Sequence, residues 1–173
     1  MNLFLVLTIA LFVISALGID MDEMCPWGRK EGPFMENLTI PPNVDHIYFG
    51  VKMCKDVEKP LIDFRSPHAH YFIEFGHDLQ TAVSIRKNED QVLWSAEMYV
   101  LSCDAIKYFW VKWAHGELSF GRGLEAGTDT IAMVTENDVA DPKEVSLSYQ
   151  TGIAELEEQC EIPMVDVNPA LTQ

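Results

Sequence analysis

The sequence predicts an all-β protein: a single antiparallel β-sandwich, jelly-roll-like, that follows a cleaved signal peptide. Three observations carry this. Apolar and polar residues alternate with period two in run after run. The runs recur about every ten residues, separated by Gly, Asn and Asp turns. The chain opens on an uncharged apolar stretch that closes on small residues.

That opening stretch runs from Leu3 to Leu17 without a charge. It is short of the roughly 20 apolar residues that cross a bilayer as a helix. Ala16-Leu17-Gly18 is a small-x-small triplet suited to signal peptidase, and Asp20, Asp22 and Glu23 follow where a stop-transfer flank would carry Lys or Arg. Residues 1–18 therefore read as a signal peptide, with a retained N-terminal anchor as the alternative. Cleavage leaves about 155 residues, enough for one self-sufficient core. With 12 basic and 27 acidic residues the formal net charge is −15. Such a surface repels phosphate backbones and anionic lipid, which argues against nucleic acid and against membrane insertion after cleavage.

Four cysteines remain: Cys25, Cys54, Cys103 and Cys160. An even count in an exported chain favours disulfides, and the wide spacing is no CxxC metal or redox motif. Three pairings are possible. The expected one joins Cys54 to Cys103 between strand regions and Cys25 to Cys160 at the two ends of the domain. Asn37-Leu38-Thr39 is an N-glycosylation sequon in a Pro-flanked stretch, consistent with the same route.

Residues 19–43, rich in Pro, Gly and charge, read as an irregular lead-in. The domain itself is expected over 44–160. Ile47, Phe49, Val51 and Met53 alternate with His46, Tyr48, Gly50 and Lys52, the pattern of a half-buried strand. Tyr71, Ile73 and Phe75 alternate with Phe72 and Glu74. Thr81, Val83 and Ile85 alternate with Ala82, Ser84 and Arg86, and Val92, Trp94 and Ala96 continue the series. Phe109, Val111 and Trp113 alternate with Trp110, Lys112 and Ala114 before His115-Gly116, and Leu118 and Phe120 resume beyond it, a hairpin signal. Val145, Leu147, Tyr149 and Thr151 make a late strand. Ile153 to Gln159 is short, acidic and helix-like, and 161–173 reads as a tail.

Candidate chemistry is sparse. The stretch Gly121-Arg122-Gly123 with Gly127 resembles a nucleotide loop, but Thr128-Asp129-Thr130-Ile131 supplies no helix to face a phosphate. No cofactor is expected. His68, His70 and Glu74 share a face if extended and are weak zinc candidates without further ligands. His77 and Asp78 are adjacent, so on a strand they point to opposite faces. Neither a nucleophile elbow nor a calcium loop occurs. No catalytic set is expected, and no metal. Phe109 and Trp113 read as core. Trp110 falls on the opposite face beside Lys112, where it is either an exposed stacking platform or part of a second buried face.

Two stretches carry a family resemblance. Tyr71 to Gly76 through Val83-Ser84-Ile85-Arg86, then Tyr108 to Trp113 with Gly116 to Gly123, resemble the farnesoic acid O-methyltransferase-type domain. Val51-Lys52 and Asp56 fit its opening strand and Val145 to Gly152 its closing one, so the resemblance spans residues 45–152. This chain has His77-Asp78 where the family commonly has Gly-Trp and Asn, and Ile153-Ala154-Glu155-Leu156 where the family tends to carry a Trp. The family name implies methyl transfer from S-adenosylmethionine, although no cofactor motif maps here. Its members often stand beside recognition domains in extracellular proteins. The resemblance thus implies a β-sandwich binding module. Trp110, Lys112, His77, Asp78 and Arg86 are the candidate ligand-binding residues.

The expected function is a secreted, non-catalytic module that recognises an extracellular glycan or protein. The alternatives are an S-adenosylmethionine-dependent O-methyltransferase acting on an isoprenoid acid, and a structural extracellular protein.

Overall fold

The fold is known from a computed structural model that describes residues 24–40, 43–54, 57, 58, 60–76, 82–88 and 90–160. The expected signal peptide, the tail 161–173 and the pair His77 and Asp78 lie outside the described residues, as does Asp56.

Twelve strands form: β1 (Met24–Glu31), β2 (Phe34–Asn37), β3 (His46–Met53), β4 (Leu61–Arg65), β5 (His70–Gly76), β6 (Ala82–Lys87), β7 (Gln91–Glu97), β8 (Lys107–Ala114), β9 (Glu117–Arg122), β10 (Thr130–Thr135), β11 (Glu144–Tyr149) and β12 (Ile153–Gln159). They build two six-stranded sheets. Sheet A runs β1-β12-β3-β8-β9-β10 and sheet B runs β2-β11-β4-β5-β6-β7. Every named strand pair is antiparallel, which makes the molecule the jelly-roll-like sandwich the period-two pattern predicts.

The core lies between the sheets and is built from the residues the alternation selects. Phe49, Phe109 and Phe120 of sheet A stack in series, and Phe75 of sheet B tilts against Phe109 at 5.6 Å between ring centroids. Trp113 of sheet A packs against Phe64 of sheet B at 5.5 Å. All of these rings are fully or almost fully buried. The β8–β9 hairpin turns on His115 and Gly116, both at positive φ, the geometry that keeps a two-residue turn in step with strand twist.

Both disulfides pair as expected. Cys25–Cys160 ties β1 to the end of β12, and Cys54–Cys103 ties the end of β3 to the segment before β8.

Several expectations are corrected. The lead-in is not irregular throughout: β1 and β2 are edge strands of the two sheets, joined through Gly32 and Pro33. Pro26, a bulge between Pro26 and Gly28, and few apolar residues hide β1 from a periodicity reading. Ile153 to Gln159 is strand rather than helix, with Ala154 and Leu156 buried on the inner face and Glu155 and Glu157 outside. Val92 does not continue the inner face of Trp94 and Ala96. A bulge opposite Ile85 and Arg86 places it beside Arg86 on the outer face, 57% exposed.

Candidate functional site

Sheet A and sheet B each present an outer face, and the described candidate ligand-binding residues, Trp110, Lys112 and Arg86, divide between them. On sheet A, Trp110 and Lys112 do face away from the core, as their parity requires. Trp110 is nevertheless fully buried, so of its two readings the second buried face holds and the exposed platform does not. The segment from Arg122 to Asp129 folds over it, and the indole Nε1 donates to the carbonyls of Thr128 (2.9 Å) and Arg122 (3.2 Å). The amide of Ala126 donates to the Tyr48 hydroxyl, and that of Gly123 to the Tyr108 carbonyl, which closes the flap at two more points. Gly121 supplies the floor: a Cβ there would lie 2.3 Å from indole Cζ2. The glycines that resemble a nucleotide loop thus make room for a tryptophan. Lys112 is half-buried and pairs with Asp45 at 3.5 Å. The Asp45 carboxyl is held below the usual range, chiefly by its hydrogen bond with His46.

An open cleft of about 460 Å³ lies at the end of sheet A, lined by Lys107, Tyr108, Arg122, Thr128 and Asp129 among others. Lys107, Arg122 and Asp129 are exposed, and the Tyr108 hydroxyl already donates to Glu157 at 2.9 Å.

The outer face of sheet B is different. Its registers align one row across the whole sheet: Asn37 opposite Ser146, Ser146 opposite Asp63, Asp63 opposite Phe72, Phe72 opposite Arg86, Arg86 opposite Val92. Strands lie about 4.8 Å apart, so the Asp63 and Arg86 backbones are about 10 Å apart with Phe72 midway. Phe72 is half-buried, an aromatic on the outside of a sheet whose inner face already has its own rings. The neighbouring row holds Ser148, Leu61, Glu74, Ser84 and Ser95, and His70 stands beside Phe72 with its ring edge-on at 6.5 Å.

The polar groups beside Phe72 are incompletely paired. Asp63 is only 6% exposed. Its Oδ2 accepts from Arg65 Nε and Nη2, both at 2.9 Å, while Oδ1 is buried without a partner. Arg86 reaches Glu74 through Nη1 at 3.4 and 3.5 Å, long for a charge-assisted bond, and its Nε is buried without a partner. Leaving such groups unpaired costs about 1–3 kcal/mol each, more for charged ones. The indole nitrogen of Trp113 is also unpaired, but it lies between the sheets where no ligand reaches. A carboxylate and a guanidinium on either side of an outward, half-buried aromatic ring make this row the candidate site.

Of the sequence-derived candidates among the described residues, only Arg86 falls in this row. His70 and Glu74 lie on the same face, but Glu74 accepts from Arg86 and from Ser84 Oγ at 3.3 Å, and His68 is exposed in the turn before β5. Among the described residues no group of three His, Cys, Asp or Glu side chains is placed to hold a metal. Asn37 is exposed at the end of β2, and the Thr39 hydroxyl of its sequon donates to Glu158 at 3.2 Å. Sequence reasoning missed Asp63 and Phe72 as site residues. The alternation Ile62-Asp63-Phe64-Arg65 is the signal that would have placed an Asp and an Arg on an outer face.

A second charged cluster lies at the end of the sandwich. Lys87 Nζ reaches Glu136 Oε2 and Asp138 Oδ2, both at 2.8 Å, and the Tyr71 hydroxyl donates to Asp138. The Tyr71 phenol is raised by burial and by that bond, Lys87 is raised by its bonds to Asp138 and Glu136, and Asp138 is lowered chiefly by Lys87. One lysine bridges both carboxylates, which pins the segment after β10 to sheet B.

The chain matches no family model and no curated protein. Solved structures do resemble it. The galectin LEC-6 of Caenorhabditis elegans aligns with a TM-score of 0.54 at 10% identity, over 79% of this chain and 96% of the other. A β-glucanase of Bacillus licheniformis aligns with a TM-score of 0.50 at 8% identity, over 77% and 71%. At such identities the likeness is one of fold: a two-sheet antiparallel β-sandwich.

Proposed function

We propose that this chain is a secreted, non-catalytic binding module that recognises an extracellular glycan through the outer face of sheet B. The observation that carries this reading is the row Asp63–Phe72–Arg86, which sets a carboxylate and a guanidinium on either side of an outward, half-buried ring. A sugar ring has the three complements together: a hydroxyl to donate, an oxygen to accept, and an apolar C–H face to lie on an aromatic. Two disulfides suit an oxidising compartment, and an exposed Asn37 suits an N-glycan acquired on the way there. The fold is shared with a protein named a galectin and one named a β-glucanase, which supports a saccharide ligand. The resemblance to the farnesoic acid O-methyltransferase-type domain supports the same reading through its extracellular, recognition-associated members. Methyl transfer draws no support from the glycine-rich segment, whose backbone is spent on Trp110.

The test is a glycan array probed with the oxidised protein and with Phe72→Ala and Arg86→Ala. A glycan bound by the wild type and lost by both variants supports the reading. An array on which nothing rises above background, or binding that both variants keep, refutes it.

A further inference from the structure

Resting on that reading of the sheet B face, we infer that the glycan it takes is uncharged, bound with one ring on Phe72 between Asp63 and Arg86, and that acidic saccharides are excluded. Phe72 is flanked by Asp63, a carboxylate that accepts and never donates and is only 6% exposed, with one oxygen buried and unpartnered. A carboxylate, sulfate or phosphate laid on Phe72 sets a second anion beside that poorly solvated one, whereas a neutral sugar brings hydroxyls and no charge.

The charge around the ring agrees. Asp63, Glu74 and Glu144 stand on this face with Arg65 and Arg86, three carboxylates to two guanidiniums. Both cations are engaged: Arg65 with Asp63 at 2.9 Å and Glu144 at 3.8 Å, Arg86 with Glu74 at 3.4 Å. An anionic ligand would have to take a guanidinium from its carboxylate and leave that carboxylate unpaired. It would also approach against the field of a chain whose net charge is −15. Ser95 and Ser148, in the neighbouring row and open to solvent, offer further neutral hydroxyl contacts on this face.

The experiment uses matched saccharides, a neutral oligosaccharide and its uronic, sialylated or sulfated counterpart, titrated against the full oxidised protein at low and at physiological salt. The neutral member is expected to bind, and each acidic counterpart to bind at least about tenfold more weakly, with the gap widest at low salt. The double variant Glu74→Gln and Glu144→Gln, confirmed as folded by its circular dichroism, is expected to narrow the gap. Acidic members that bind as well as neutral ones, or better, overturn the inference while leaving the glycan reading intact. Loss of all saccharide binding by the folded wild type overturns both.

Discussion

Trp110 and Gly121 face each other across the β8–β9 pair, and the indole occupies the space that any side chain on residue 121 would need. A Cβ at Gly121 would meet indole carbons at 2.3 and 2.4 Å and the Asp129 carbonyl at 2.8 Å. The backbone contact cannot yield by a rotamer change. Gly121→Ala is therefore expected to lower stability by about 1–3 kcal/mol, as overpacking of a close-packed site does. Equilibrium denaturation read by tryptophan fluorescence checks it.

Truncating the indole tests the same joint from the other side. Trp110→Ala removes a fully buried ring and leaves two carbonyls of the covering segment without their donor. About 3–5 kcal/mol of stability should go with it. Because Trp110 belongs to sheet A, any of the variant that stays folded should bind glycan as the wild type does. Calorimetry below its unfolding midpoint separates the two effects.

The two disulfides close loops of very different length, with sequence separations of 135 and 49. In the chain-entropy picture they contribute about 5 and about 4 kcal/mol, because closure entropy grows only with the logarithm of length. Cys25→Ala with Cys160→Ala should cost slightly more than Cys54→Ala with Cys103→Ala. A first pair costing several kcal/mol less than the second, measured in denaturant, would mean that β1 contributes little to the packed body.

The Tyr71–Asp138–Lys87 cluster sets a pH dependence at each end of the scale. Asp138 has its folded pKa lowered, so its contribution is full above the unfolded value near 3.9 and fades as pH falls through the folded one. Tyr71 and Lys87 are raised, so their contributions are full below their unfolded values near 10 and fade as pH rises past them. Asp138→Asn should flatten the acid limb of a stability–pH curve, and Tyr71→Phe should soften the alkaline one. An acid limb unchanged in Asp138→Asn would assign that limb to other carboxylates.

Much of this fold was legible because a strand records its faces in its own alternation. Phe109, Val111 and Trp113 lie in the core as their period requires, and so do Tyr71, Ile73 and Phe75. The parity of Trp110 was legible too. What covers it was not, since the flap depends on carbonyls 12 and 18 residues away in sequence. Val92 was misplaced because one inserted residue reverses every face after it, and a bulge leaves no compositional mark here. The site itself is assembled by register. Asp63, Phe72 and Arg86 come from three strands, and only the pairing of β4 with β5 and β5 with β6 brings them into one row. No local spacing encodes that.

Nuclear magnetic resonance shift mapping on the isotope-labelled, oxidised protein distinguishes most directly a ligand that meets sheet B from one that meets sheet A. Titrating a glycan selected from the array should move the amide and side-chain signals of Asp63, Phe72, Ser84 and Arg86 while leaving Lys112, its β9 partner Ser119 and the Trp110 indole in place. Shifts concentrated at Lys112 and Ser119, or around the cleft lined by Lys107 and Arg122, would contradict binding at sheet B.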